Sequence, residues 1–425
     1  MLWHTIEPAI WVTQQSKNVA AGLVVRRFFL CDRILNGLLL LTVHGQSLII
    51  GCNDVGFLGQ RDDLHVAKYL LSKPRTAMAR QLPALAILIL LTTTPQIVAD
   101  QPPAAKNSKP WRGLHVAVFA NDKDLEVLSR QISKLAELGV NMLILEVNYN
   151  FEFKSHPELR AGKNVITRAA AENLAALCRK QGIRLIPEFQ CLGHQSWQGQ
   201  TFPLLTVYPK FDLTPGAFPG NKGIYCREWD PLNPEVNKIV FPLLDEIIDA
   251  FHADALHVGM DEVFLIGSDQ SPSTKGKDRA QVFAKAVTDL HRRLVKQRRV
   301  EMLMWADRLF DAVAFHWDEQ EASKVGTAGA LDLIPKDIIL CPWHYEKMCV
   351  YPSIPLFLKK GFRVLPASWR KLDASRALIE YSHKQDCPQM LGHLFTTWGG
   401  RKDAIAEYGP LVEGVKLLQT LGSSR

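Results

Sequence analysis

The sequence predicts an α/β protein, a (β/α)8 barrel, and three observations predict it. Eight short β-rich runs alternate with amphipathic helical stretches from residue 111 to residue 421, the order of a parallel-sheet α/β fold. That span of about 310 residues suits eight units with one or two long insertions. No glycine-rich phosphate loop follows any of the runs, which argues against the open doubly wound sheet.

The elements follow in order. Residues 1–77 show no clear periodicity and are expected to form a poorly structured extension that is not part of the true protein. Met78-Ala79-Arg80-Gln81 then precedes the apolar run Leu82 to Leu91 and a polar stretch ending Ile97-Val98-Ala99. A positive start, a short apolar core and a small residue at the end form the pattern of a secretory signal peptide, here over residues 78–99. Its core is too short to span a bilayer, so no stable membrane insertion is expected after cleavage. The protein is expected to be exported, to a periplasm or outside the cell. A Pro-containing polar linker fills residues 100–110.

Strands are predicted near residues 114–119, 141–147, 183–189, 255–259, 301–305, 338–342, 362–367 and 390–396. Helices are predicted near residues 124–138, 169–181, 234–251, 278–298, 373–384 and 403–420. Gly139 and Gly182 stand where a left-handed helix cap is needed. The longest insertion runs from Gln190 to Pro234, after the third strand.

Composition excludes several classes. With 47% hydrophobic and 22% charged residues the chain can bury a sizeable core. The net charge of +7 is scattered, with no block of five like charges, so no nucleic-acid partner is expected. Eight cysteines lie without a CxxC or zinc-type Cys/His spacing, so neither a metal, a cofactor nor a disulfide is expected.

In a barrel of this kind chemistry sits just after the strands. Strand ends here carry Glu188, His194, Asp261, Glu262, Trp305, Asp307, Trp343, Trp369 and Trp398. Indole faces stack on sugar rings and carboxylates move protons and bind hydroxyls, so a carbohydrate ligand is expected. Asp261 and Glu262 are adjacent. They cannot face one another as an ordinary glycosidase pair, which suggests a nucleophile supplied by the substrate itself.

Two motifs sharpen this expectation. His257-Val258-Gly259-Met260-Asp261-Glu262 on the fourth strand matches His-x-Gly-x-Asp-Glu, and Pro187-Glu188 through Gly193-His194 on the third matches Pro-Glu-(x)4-Gly-His. With Arg112-Gly113 on the first strand, they make the chain resemble glycoside hydrolase family 20, the β-N-acetylhexosaminidases. The resemblance implies Glu262 as general acid and then base, and Asp261 as the group that orients the attacking 2-acetamido group. It also implies Arg112, Glu188, His194, His257, Trp305 and Trp398 as substrate-binding or supporting residues, and the strand-end reading adds Asp307, Trp343 and Trp369 to the substrate-binding set. It departs from the family at Gln190 and at Glu146-Val147-Asn148. The seventh strand lacks the expected Tyr, reading Pro366-Ala367-Ser368-Trp369-Arg370, and Gly399-Gly400 follow Trp398. Two other readings stay open: a catalytically silent glycan-binding barrel, and a conventional two-carboxylate glycosidase using Glu262 with Glu188 or Asp307.

Overall fold

The computed structural model describes the backbone of Leu23–Phe28, Leu38–Val43 and Gln46–Gly51, and residues 110–423. The signal peptide proposed at residues 78–99, and the linker up to residue 109, lie outside the described residues. Two units divide between Pro95 and Gln96. In the first, the three strands pair antiparallel in sequence order. This is more regular structure than the sequence reading expects, and the β-branched pairs Val24-Val25 and Ile49-Ile50 suit it.

The second unit is the barrel. Its strands, numbered one to eight here, are Trp111–Val116, Met142–Glu146, Arg184–Cys191, Ala255–Gly259, Glu301–Trp305, Ile339–Cys341, the pair Arg363–Val364 and Ala367–Ser368, and Gly392–Thr397. All pair in parallel, and each falls within or overlaps a predicted run. Strand one starts three residues early, at Trp111, because its N–H is already bonded to Leu391 (2.7 Å).

The sheet begins and ends on strand seven. Arg363–Val364 pairs with strand six and Ala367–Ser368 with strand eight, with Pro366 between them. Bonds cross on both sides: Leu365 N–H to Leu340 O and Ala367 N–H to Pro342 O toward strand six, and Leu391 N–H to Val364 O and Leu394 N–H to Pro366 O toward strand eight. The ring is therefore completed through this one strand. Proline has no N–H to give a ladder, which explains why the strand is recorded in two short pieces.

Helices cover the outside. Asn121 caps Asp122–Ser129 through Asp124 N–H, and a break at Arg130-Gln131 separates this helix from Ile132–Leu138 where the sequence pattern runs on unbroken. Asn233 and Pro234 start Pro234–Phe251, as predicted. Arg279–His291 continues as a π-helical turn, Arg292–Arg298.

Strand alternation divides the core into two layers. One, between strands and helices, holds residues such as Leu114, Leu143, Leu185 and Val258. The other fills the lumen with Met142, Ile144, Ile186, Leu303, Ile339 and Leu394. At the lumen's N-terminal end Glu301 binds Arg184 (2.7 Å) and Arg363, and Arg184 lies over the Trp111 ring.

Glu301→Ala leaves both arginines without their shared anion, and is expected to lower unfolding free energy by about 2 kcal/mol in urea titration. Burial pushes the Glu301 carboxyl up, but the two guanidiniums outweigh it and hold it below its usual value. Its contribution is thus present above the ordinary carboxylate pKa and is lost as pH falls through the depressed one. The difference between wild type and variant should shrink in acid.

Candidate active site

The turn after strand four carries the two carboxylates on unusual backbone. Gly259, Met260 and Glu262 have φ of 64°, 77° and 52°, all left-handed. A Cβ on Gly259 would fall within the Gln190 side chain, so glycine is required there on two counts. Asp261 and Glu262 are each only 7% exposed.

Three elements hold the turn. Asp307, after strand five, accepts the Glu262 N–H at Oδ2 (2.9 Å) and is itself bonded by the buried Arg308 Nε (2.6 Å). Glu228, from the strand-three insertion, accepts the N–H groups of Phe264 (2.5 Å) and Leu265 (2.7 Å) at Oε1. Gln190 donates its amide N–H to Asp261 Oδ1, while its own backbone N–H goes to Asn148 (2.7 Å). Burial raises the carboxyls of Asp307 and Glu228, Glu228 to about 7.

His194 bridges the pair. Its Nε2 is 3.0 Å from Glu262 Oε2 and 3.5 Å from Asp261 Oδ2. Burial opposes charge on the ring, but the adjacent carboxylates prevail and hold its pKa well above the usual value. Gly193 permits this approach, since a Cβ there would come 2.6 Å from the Asp261 carbonyl oxygen. Among the described residues this trio is the His/Asp/Glu grouping close enough to share a cation, with ligand atoms within 4.8 Å. His194 already occupies the space between the two acids.

Beneath the turn, the top of the lumen is polar. Glu188 lies 2.9 Å from His115 Nε2 and 3.2 Å from His257 Nδ1, and accepts the Trp305 indole N–H (3.1 Å). Burial would raise the Glu188 carboxyl, but the two histidines press it far below its usual value. The His115 ring is raised against its burial by the same contact.

Several expectations need correction. Arg112 is not at the pocket: alternation turns Trp111, Gly113 and His115 inward and Arg112 outward, and its guanidinium binds Gly139 O (2.5 Å) and Pro110 O at the strand's opposite end. Glu188, His257 and Trp305 are essentially inaccessible and support the turn from below. Asp307 is 2% exposed and engaged by Glu262 and Arg308, so it positions Glu262 and has no surface for a sugar.

The remaining aromatic residues form a connected wall. Trp343 stacks on Tyr345 (4.9 Å), Trp369 meets Tyr345 edge-on (5.5 Å), and the Trp398 indole donates to the Tyr345 hydroxyl (2.7 Å). Sequence reading missed Tyr345, having sought a tyrosine on strand seven. It stands two residues after Trp343 behind strand six, close enough for its hydroxyl to feel the Asp261 charge. It also missed His115, which a strict period-two reading of strand one reveals, as well as Glu228, Trp197 and Tyr225 in the aperiodic insertion.

An α/β barrel with a braced acid pair at the C-terminal end of strand four defines the class. The chain belongs to glycosyl hydrolase family 20, whose catalytic-domain profile matches residues 110–373. It is 25% identical over 185 residues to a beta-hexosaminidase of Akkermansia muciniphila, covering 39% of this chain and 36% of that protein. It is 22% identical over 296 residues to a beta-hexosaminidase of Emericella nidulans, covering 64% and 45%. The chain thus spans less than half the length of either. In fold it is similar to a beta-N-acetylhexosaminidase from Bacteroides fragilis, with TM-score 0.51 and 13% identity over 72% of this chain and 65% of that one.

Asp307→Ala removes the acceptor for Glu262 N–H and strands a fully buried Arg308, which is expected to cost about 3 kcal/mol of stability. In the folded fraction kcat should fall about 100-fold with KM little changed. Asp307→Asn keeps an acceptor oxygen and should recover much of kcat; steady-state kinetics of the two variants checks this. For His194, the raised pKa means its ion pair stabilises fully below the unfolded histidine value and is lost as pH rises through the folded one. His194→Gln should therefore flatten the alkaline part of the stability profile measured by thermal melting.

Proposed function

We propose that the protein removes terminal β-linked N-acetylhexosamine from glycans, with the substrate's own 2-acetamido group as nucleophile. The observation that carries this is the unequal setting of two neighbouring acids. Glu262 is paired with the His194 imidazole at 3.0 Å, which can exchange a proton with it, and the Tyr225 ring stands 6.0 Å from that imidazole. Asp261 is gripped by the Gln190 amide, which fixes the direction of its carboxylate.

Protonation of the leaving oxygen then falls to Glu262, which afterwards takes a proton from the incoming water. Asp261 orients the acetamido N–H and balances the positive charge that develops as the oxazolinium ring closes. Tyr345 offers the hydroxyl that strand seven lacks, and Trp398 offers an indole face to the sugar, while the buried Trp343 backs Tyr345.

The conventional two-carboxylate reading is poorly supported. Glu188 is sealed between two histidines and an indole, and Asp307 between a backbone N–H and a guanidinium, so neither is free to attack a sugar or activate water. A silent binding barrel would have no use for an acid pair braced at such cost in backbone strain.

Export is inferred from the leader pattern at residues 78–99. Among the described residues no helix is long and apolar enough to cross a membrane.

Turnover of aryl β-N-acetylglucosaminide and β-N-acetylgalactosaminide tests the function. Glu262→Gln should lower kcat about 1000-fold, and Asp261→Asn about 100-fold through loss of charge stabilisation. Plain aryl β-glucoside should not be turned over. Equal rates on glucoside and acetamido sugar would sink the substrate-assisted mechanism.

A further inference from the structure

One largely buried carboxylate at the C-terminal end of the barrel has no part in the chemistry above. Glu321 lies in the loop after strand five, where Arg308 Nη2 donates to the carbonyls on either side of it, Gln320 (2.6 Å) and Ala322 (3.0 Å). Its side chain reaches the loop after strand six. There Oε1 accepts the backbone N–H of Tyr345 (3.0 Å), while Oε2 accepts the Trp317 indole N–H (3.0 Å) and lies 2.8 Å from His344 Nδ1. His344 Nε2 is in turn 2.7 Å from Ser353 Oγ, on the helix Ser353–Lys359.

Carboxylate, imidazole and hydroxyl in this order have the connectivity of a hydrolase triad. They cannot act as one, because His344 and Ser353 are each 1% exposed and no substrate reaches the hydroxyl. The bonds lead instead to the tyrosine beside the imidazole.

We propose that Glu321 is a positioning residue for acetamido-sugar cleavage, fixing Tyr345 so that its hydroxyl meets the acetamido carbonyl of the substrate. The inference rests on the hexosaminidase reading above. His344 N–H still pairs with Ala367 O (2.9 Å), as in a strand, but the next N–H, that of Tyr345, goes to Glu321. Beyond Tyr345, residues 346–350 are all exposed, and no buried side chain follows until Tyr351. Tyr345 is therefore held from behind. Its ring stacks on Trp343 and its oxygen accepts the Trp398 indole N–H, which leaves the phenol proton to donate into the pocket.

One imidazole tautomer satisfies the whole relay: Nδ1–H donates to Glu321, and Nε2 accepts the Ser353 proton. Burial would raise the Glu321 carboxyl, but His344 and the neighbouring donors hold it below its usual value. The clamp is thus an anion with donors on both oxygens.

A double-mutant cycle between Glu321→Gln and Tyr345→Phe tests this. Glutamine offers one acceptor oxygen where donors arrive on two, so it must release one side of the clamp. On aryl β-N-acetylglucosaminide, Tyr345→Phe should lower kcat about 100-fold and Glu321→Gln about tenfold, with KM little changed. The double variant should be no slower than Tyr345→Phe alone. A purely structural glutamate would slow both backgrounds alike, so losses that multiply, to about 1000-fold in the double variant, overturn the role. An unchanged kcat in Glu321→Gln overturns it too. If thermal melting shows that Glu321→Gln does not fold, Glu321→Asp, which keeps the charge but draws it back by one methylene, takes its place in the cycle under the same criterion. If the unaltered protein neither cleaves the acetamido sugar nor is inhibited by the fused thiazoline of N-acetylglucosamine, a mimic of the cyclised intermediate, the hexosaminidase reading falls, and the role with it.

Discussion

The left-handed turn from Gly259 to Glu262 is the constraint on which the site depends. Non-glycine residues in that region cost of the order of 1–3 kcal/mol each, and two of them, Met260 and Glu262, occur within three residues. Such a turn persists only if its surroundings over-determine it. Here they do: Asp307 takes one N–H, Glu228 takes two more, and Gln190 fills the space that glycine leaves. The result points two adjacent side chains at one imidazole, which extended backbone would turn to opposite faces.

The lumen below is graded to support that turn. Arg184, Glu301 and Arg363 close its N-terminal end with ion pairs, an apolar middle separates them from the site, and Glu188 with His115 and His257 forms a polar top. The apolar layer matters electrically. It keeps water from the Glu188 cluster, so the fixed charges there act on the acid pair with little screening.

The repeating elements were legible because period and glycine caps are local properties. All eight strands, the inserted loop and the two motifs could be read from residues 111–421, and the structure places His194, Asp261 and Glu262 together behind strands three and four, with Glu188 on strand three beneath them. What the sequence concealed was direction. Arg112 sits in a motif that suggests a sugar ligand, yet its parity on strand one sends it outward, and the inward position three residues later belongs to His115. Asp307 and Trp305 stand at a strand end where every residue from Met302 to Phe310 is buried, so position after a strand did not there mean access to the pocket. Glu228, Trp197 and Tyr225 lie in a segment with no period at all, so only tertiary contacts reveal them. Tyr345 could have been found by searching the strand-six loop for a hydroxyl as well as for indoles.

Strand seven, split between two neighbours, has a further consequence. The loops that carry Trp343, Tyr345 and Trp369 flank the seam where the ring closes, and strand seven pairs there in two short pieces. Ring stacking and the indole-to-phenol bond therefore tie this wall to Trp398, just after strand eight. Selection can then reshape the sugar-recognising half of the pocket by exchanging aromatic side chains, while the half that handles protons is fixed by main-chain geometry. A scaffold so divided can change its preferred sugar without disturbing its chemistry.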